Sequence, residues 1–380
     1  MSEWKEYNLG EIATKITSGG TPKSSESKYY DGDIPWLNTK EINFNRISKT
    51  ERCITEEGLN NSSAKWIPKD SVIIAMYGAT AAKVAYSLID LTTNQACCNL
   101  IINNGIADSK FVYYYIQSSY EELLNLACGA AQQNLSLGVI ADFPIPLPPL
   151  PTQRRIAAIL FSLDDKIDLL HRENATLEQM AETLFRQWFV VEAKEEWEEG
   201  KLGDICNYIT EKIDIDSVVI EDYISTENMC SNKQGVVRAT SIPESGKATK
   251  YRVDDILLSN IRPYFKKIWL ADKEGGCSAD VLCIRSTNDI CAYFTYHTIR
   301  QDEFFDYVML GSKGCKMPRG DKSHIMNWPI MIPPKETLLN FNIIAANNIE
   351  KIRSNNKQIQ TLIQTRDGLL PRLMSNELIV

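Results

Sequence analysis

The same block of sequence occurs twice in this 380-residue chain, each time running from a proline-rich strand-like segment into a long heptad pattern. The first copy reads Phe143-Pro-Ile-Pro-Leu-Pro-Pro149 and continues to about Phe189. The second reads Trp328-Pro-Ile-Met-Ile-Pro-Pro334 and continues toward Leu370. Pro144 and Pro329, Pro148 and Pro333, Lys166 and Lys351, and Leu177 and Leu362 all stand 185 residues apart, without a gap. An ungapped match of this length marks an internal repeat, and a repeat dictates the architecture. The chain therefore reads as two half-molecules related by a pseudo-twofold axis.

Four segments follow. Residues 1–148 and 195–333 form two globular domains, and residues 149–194 and 334–380 form two long helices. The domains contain strand-like runs such as Ser71-Val-Ile-Ile-Ala-Met-Tyr77, punctuated by Gly, Asn and Pro. They also match each other. Trp4, Leu9-Gly10 and Ile12 correspond to Trp197, Leu202-Gly203 and Ile205 at a displacement of 193. Lys69 to Ile74 match Asp254 to Ser259 at 185, so the two domains are expected to differ by eight residues between these points (193 − 185).

The first helix carries a 4-3 stripe of Ile156, Leu160, Leu163, Ile167, Leu170, Asn174, Leu177, Ala181 and Leu184. The second carries Phe341, Ala345, Asn348, Ile352, Asn355, Ile359, Leu362, Arg366 and Leu369. Such a stripe is the a/d seam of a coiled coil, in which polar residues sacrifice stability and fix register. The expected fold class is α+β: two globular domains joined by two long helices that pair antiparallel. About 37 residues at ~1.5 Å each make a rod of roughly 55 Å, expected to hold the domains apart. Pro371 is expected to end or kink the second helix. An ordinary amphipathic helix lying on a core is the competing reading; the length and repetition of the stripe argue against it.

Composition excludes several classes. With 44% hydrophobic and 24% charged residues the chain has a globular composition. It lacks an apolar run of ~18 residues and an N-terminal signal layout, which predicts a cytoplasmic protein without membrane contact. Ten cysteines without a CxxC pair predict reduced, mostly buried thiols. His171, His297 and His324 lack metal-ligand spacing, so no metal is expected. The net charge of −8 argues against a generic basic nucleic-acid coat but permits local basic patches.

Catalytic signatures are missing. No GxxxxGK[ST], GxSxG or HExxH occurs, nor a glycine-rich cofactor loop after a strand, nor the Asn/Asp-Pro-Pro-aromatic motif of amino-methyltransferases. Asp164-Asp165 reads as a solvated helix flank rather than a metal site. The chain has the features of a recognition and spacing device.

Ile145-Pro-Leu-Pro-Pro-Leu-Pro-Thr-Gln-Arg-Arg-Ile-Ala-Ala-Ile-Leu160, followed by Leu163-Asp-Asp-Lys-Ile-Asp168 and Asn174-Ala-Thr-Leu-Glu-Gln-Met180, closely resembles the central conserved region of specificity subunits of type I restriction-modification systems. Gly20-Thr-Pro22, Ile34-Pro-Trp-Leu37, Lys69-Asp-Ser-Val72, Tyr77-Gly-Ala-Thr80 and Thr93-Asn-Gln-Ala-Cys97 resemble a common class of target recognition domain. The second half departs from the pattern. It has Leu338-Leu-Asn-Phe341 in place of the Gln-Arg-Arg-Ile entry, and Ser278-Ala279-Asp280 near the position of Asn94-Gln95-Ala96.

The resemblance implies a noncatalytic subunit. Each domain would read one half of a split, asymmetric site on double-stranded DNA. The helices would set the unread spacer and dock two modification subunits, which bring S-adenosylmethionine and methylate adenine. Restriction subunits, with ATP and Mg, would translocate and cut. The chain itself would bind no cofactor. The alternatives are a specificity subunit serving a fused nuclease-methylase of another restriction class, a stand-alone DNA-modifying enzyme, or a protein scaffold.

Sequence is read by side chains that reach base edges, while phosphate contacts position the protein. In the first domain the candidates are Thr21, Lys23, Thr39, Lys40, Tyr77, Lys83, Gln132, Gln133 and Asn134. The tract Cys128 to Asn134 aligns with Lys313 to Arg319, giving Lys313, Lys316, Arg319 and Lys322 in the second. Asn260, Arg262 and Lys266 form another candidate loop there. The bland alternative is that these are solvated loop residues, or that Gln132 to Asn134 cap the next helix. Tyr113-Tyr114-Tyr115 lies in an amphipathic stretch, where core packing outweighs base stacking.

Overall fold

The computed structural model describes residues 4–128, 134–194, 196–288, 292–314 and 316–378. The chain divides into two compact units, Met1–Leu169 with Ile359–Val380, and Leu170–Gln358.

The first unit contains strands β1 (Lys5–Asn8), β2 (Ala13–Ser18), β3 (Tyr30–Leu37), β4 (Asn45–Ile47), β5 (Arg52–Ile54), β6 (Val72–Ala75), β7 (Val84–Ser87), β8 (Thr92–Thr93), β9 (Cys97–Ile102) and β10 (Pro144–Leu147). Its helices are α1 (Leu9–Ile12), α2 (Glu56–Asn60), α3 (Ser109–Ser118), α4 (Tyr120–Cys128), α5 (Leu137–Ala141) and the start of α6 (Leu150–Arg186). A five-stranded sheet has the order β2-β9-β6-β7-β4, a three-stranded sheet the order β5-β3-β8, and β1 pairs with β10. Strand β6 is buried on both faces. Successive side chains point to opposite faces. Val72 and Ile74 accordingly meet Phe111, Tyr113 and Tyr114 of α3 on one side, and Ile73 and Ala75 meet Leu37 and Leu91 on the other. Tyr113 and Tyr114 are thus core residues.

The second unit repeats the plan. Its strands are β11 (Glu198–Lys201), β12 (Cys206–Tyr208), β13 (Lys212–Asp214), β14 (Tyr223–Ile224), β15 (Lys247–Tyr251), β16 (Ile256–Ser259), β17 (Ile268–Leu270), β18 (Gly275–Cys277), β19 (Val281–Ser286) and β20 (Pro329–Ile332). Helices α7 (Leu202–Ile205), α8 (Ala292–Ile299), α9 (Asp302–Leu310), α10 (Lys322–Met326) and most of α11 (Lys335–Met374) complete it. The sheets are β12-β19-β16-β17 and β13-β15-β18-β14, and β11 pairs with β20.

One detail of the repeat differs from the sequence reading. Val72 and Ile74 face the helices in the first unit, whereas Ile256 and Leu258 do so in the second. The displacement of the central strand is therefore 184, not 185. Asp70 (φ 66°) and Asp254 (φ 69°) make the same left-handed turn before it, again 184 apart. A one-residue slip exchanges the faces of a strand, so alternation in a strand buried on both sides could not decide the register. The second unit is consequently nine residues shorter between entry strand and central strand (193 − 184).

The long helices pair antiparallel within each unit. In the first, Ile156, Leu160 and Phe161 of α6 pack with Leu370, Leu373 and Met374 of α11. In the second, Asn174 lies against Asn355 and Phe185 against Phe341. Asn355 Nδ2 donates to Asn174 Oδ1 at 2.8 Å, and Asn174 Nδ2 donates to Asn356 Oδ1 at 2.8 Å. Along the stripe, Ile156, Leu160, Ile167, Leu170, Asn174, Asn355 and Ile359 are buried, and Leu163, Leu177, Ile352 and Leu362 half-buried.

Two expectations for the helices fail. Pro371 does not end α11, which continues to Met374. A proline removes only one ladder bond, and here it does so in the last turn, where Leu370, Leu373 and Met374 are anchored in the core. Asp164 is not a solvated flank. It is buried, accepts from Tyr114 Oη at 2.5 Å, and pairs with Arg366 at 2.8 Å. The seam arginine thus brings its own counter-charge, which a buried cation requires. Asp165 is exposed, and Arg46 of β4 reaches it at 2.6 Å.

The family-like Gln153 also has a structural role. It is buried, accepts from Asp108 N at 2.9 Å and donates to Pro148 O at 2.8 Å, tying the start of α6 to the cap of α3. In the second unit Leu338 takes this place as an apolar core residue. Among the described residues no helix is long and apolar enough to cross a membrane.

Candidate nucleic-acid interface

In the first unit β2, β6 and their antiparallel neighbours bring four loops to one end of the five-stranded sheet. The loop after β2 begins with Gly19-Gly20. A Cβ on Gly19 would lie 2.0 Å from Thr93 O, and one on Gly20 would lie 2.3 Å from Ala64 N, so neither position admits a side chain. Gly20 N donates to Thr93 O at 2.9 Å, and the Trp36 indole donates to Gly20 O at 2.9 Å. This close approach explains why Gly-Thr-Pro and Pro-Trp-Leu occur in one chain. It also delivers Thr21 to Gln95, whose Oε1 accepts the threonine hydroxyl.

The loop between β8 and β9 divides its polar pair. Asn94 is buried and its Oδ1 accepts from Ala96 N at 3.1 Å. Gln95 is exposed. Gln95 is absent from the sequence-based candidates, although the adjacent Asn-Gln pair was visible; only burial shows that one amide braces the loop and the other projects. Met76 N donates to Ala96 O at 2.8 Å, and Leu135 N donates to Met76 O at 2.7 Å. Tyr77 and Asn134 consequently form a bridge. Thr21, Tyr77 and Asn134 are therefore gathered on one loop cluster. Gln132 and Gln133 lie outside the described residues.

The three candidate lysines of this unit are engaged. Lys23 pairs with Glu26 at 3.6 Å, Lys40 with Glu51 at 2.5 Å, and Lys83 Nζ donates to Asn43 Oδ1 at 2.8 Å. Thr39 opens a short turn capped by Asn38, whose backbone N donates to Glu41 at 2.9 Å. The turn follows Leu37, whose carbonyl accepts from Asn94 N at 2.9 Å.

The second unit places equivalent loops at the equivalent end. Asn260 N donates to Asp280 O at 2.9 Å, and Gly320 N donates to Asn260 O at 3.2 Å. Ile261 bridges Arg319, and Lys313 bridges Arg319 in turn. Asn260, Arg262, Lys313 and Arg319 are thus brought together. Arg319 reaches Asp280 at 3.2 Å, and Lys313 reaches Asp321 at 2.7 Å. Lys313, together with the His324 backbone N–H, holds the Asp321 carboxyl down at about 2. Lys266 points elsewhere, to Asp302 of α9 at 2.9 Å, which Lys233 also reaches at 2.7 Å. These two ammonium groups, Lys233 first, hold Asp302 at about 2. Lys322 is the first residue of α10, with its Nζ 5.8 Å from the Tyr208 ring centroid, and Lys316 is exposed.

Each cluster is a set of amide, hydroxyl and cationic donors on backbone held by cross-loop hydrogen bonds. That chemistry suits hydrogen bonding to base edges and phosphates. Among the described residues no three His, Cys, Asp or Glu side chains converge as metal ligands would.

The family model for the type I restriction modification DNA specificity domain matches the chain twice, over residues 1–179 and 194–364. A specificity subunit of the type I restriction enzyme MjaIX from Methanocaldococcus jannaschii is 27% identical over an alignment covering 99% of this chain and 96% of that protein. The specificity subunit of EcoR124I/EcoR124II from Escherichia coli is 33% identical over 44% of this chain and 41% of its own length. The crystal structure of a type I restriction-modification S subunit from M. genitalium aligns over 98% of this chain and 96% of that chain, with a TM-score of 0.58 and 14% identity.

Proposed function

Since the chain belongs to the type I restriction modification DNA specificity family, we propose that it is the subunit that selects the DNA sequence on which a modification and restriction complex acts. The observation that carries this reading is the doubling of one loop cluster. The bridges Tyr77–Asn134 and Ile261–Arg319 join equivalent loops in the two units. Equal backbones with unequal side chains would read two different half-sites, giving a split, asymmetric target on double-stranded DNA. A symmetric dimer would instead favour a palindrome.

The acidic partners of Lys23, Lys40, Lys313 and Arg319 hold these cations in place at the surface. Exposed ion pairs are weak, so DNA phosphates can displace the carboxylates and gain from counterion release. The overall negative charge then discourages binding elsewhere. In this reading the chain performs no chemistry. Two modification subunits dock on the long helices and supply S-adenosylmethionine for adenine methylation, restriction subunits supply ATP- and Mg-dependent translocation and cleavage, and the complex works in the cytoplasm.

Methylome sequencing of a host that expresses the chain with its modification partner tests the proposal. A new adenine mark in a bipartite, asymmetric motif is expected. An active partner assembled with this chain and leaving no new motif would sink the DNA-selecting role.

A further inference from the structure

Arg262 stands out within the second loop cluster for its backbone and for having no side-chain partner among the described residues. The β6–β7 and β16–β17 connections have the same path. Gly78 (φ 84°) and Ala82 (φ 64°) in the first correspond to Arg262 (φ 52°) and Lys266 (φ 51°) in the second, each displaced by 184. Glycine suits the first of these positions, and an added Cβ on Gly78 would meet nothing within 4 Å. The second unit instead carries arginine there, directly before Pro263. A left-handed non-glycine residue is strained, and a following proline restricts it further. Arg262 N donates to Pro318 O at 2.8 Å, and Phe265 N donates to Arg262 O at 3.0 Å, which holds the backbone in this state.

Among the described residues the side chain finds no compensation. Arg262 Nε is buried without a hydrogen-bond partner, and so is Asn260 Oδ1 in the same loop. Among the described residues Arg262 takes part in no ion pair, whereas Lys266, Lys313 and Arg319 beside it each hold an aspartate. An arginine kept at a cost in backbone strain and desolvation, and left without a counter-ion in a cluster that contains several, is arranged for a ligand.

We propose that Arg262 is the specificity-determining residue of the second unit and reads guanine through O6 and N7, the two acceptors that its planar fork matches in the major groove. This rests on the DNA-selecting role above and narrows it to one side chain and one base. The first unit, with Gly78 at the same place, lacks this contact.

The test uses the full chain assembled with its modification partner, methylome sequencing, and selection from a pool of duplexes randomised in both half-sites. The wild-type complex is expected to require a G·C pair at one position of one half-site. Arg262→Gly, which relaxes the backbone, should keep the thermal midpoint of the second unit. It should lose about 10- to 100-fold discrimination at that pair alone, with Arg262→Lys showing partial loss. An unchanged motif in Arg262→Gly overturns the assignment while leaving the DNA-selecting role intact. So does equal weakening at every sequence, which marks a phosphate contact, or a collapse of the midpoint, which marks a structural arginine. A wild-type complex that selects no sequence overturns both proposals.

Discussion

His297 sits on α8 among Phe185, Phe294, Tyr296 and Phe341, and among the described residues neither ring nitrogen has a hydrogen-bond partner. Burial, reinforced by the charge of nearby Arg300, pushes its pKa from 6.5 down to about 3. The unfolded chain therefore binds a proton that the folded unit refuses between those values. Stability rises with pH wherever the unfolded state holds more protons. The contribution of neutral His297 is thus complete above pH 6.5 and falls by about 1.4 kcal/mol per unit as the pH drops below it. His297→Phe is expected to flatten this slope. Urea unfolding of the second unit at pH 7 and pH 5 would show it, and equal losses in both proteins would assign the acid sensitivity to another group. The sequence exposed this histidine only as one of three isolated ones. Asp164 was equally opaque, because its role depends on Tyr114 and Arg366, 50 and 202 residues away.

At the scale of elements, the long helices are legible because their order is local: a 4-3 stripe needs only neighbouring turns. Which polar seam residues pair with each other is a property of two helices. The amides of Asn174, Asn355 and Asn356 form a chain of hydrogen bonds within the second unit. Buried polar groups at seam positions restrict register at a cost in stability. Replacing Asn174 and Asn355 together by leucine is expected to raise the stability of this unit by about 1–2 kcal/mol and to loosen pairing specificity. Urea midpoints and sedimentation would record a more stable protein with a new self-associated species. A less stable monomer would mean that the amide chain contributes net stability.

At the scale of the whole chain, the duplication makes the two recognition units separable in principle. Each has its own core, and each presents its own loop cluster. Exchanging residues 1–148 for the corresponding part of a relative with another target is expected to change one half of the methylated motif and to leave the other half unchanged. Methylome sequencing reads this directly, and a change in both halves would refute independent reading. The loops of the candidate site were only partly visible beforehand. Thr21, Tyr77 and Asn134 do share a cluster, as do Asn260, Arg262, Lys313 and Arg319, but Lys266 turns to α9. Loop position along the sequence says little about which carboxylate a long side chain will reach.

The sequence by itself determined what repeats and what is periodic: the duplication, the paired helices, the α+β class and the family. These depend on spacing along the chain, which needs no partner. Tertiary structure alone decided the 184-residue register of the central strand, the burial of Asp164, the division of labour between Asn94 and Gln95, and the lack of a counter-ion for Arg262 among the described residues. Each of these depends on which distant surface a side chain meets. A strand buried on both faces, a charged residue on a helix and a polar residue in a loop have local patterns compatible with more than one such meeting, and only packing selects among them.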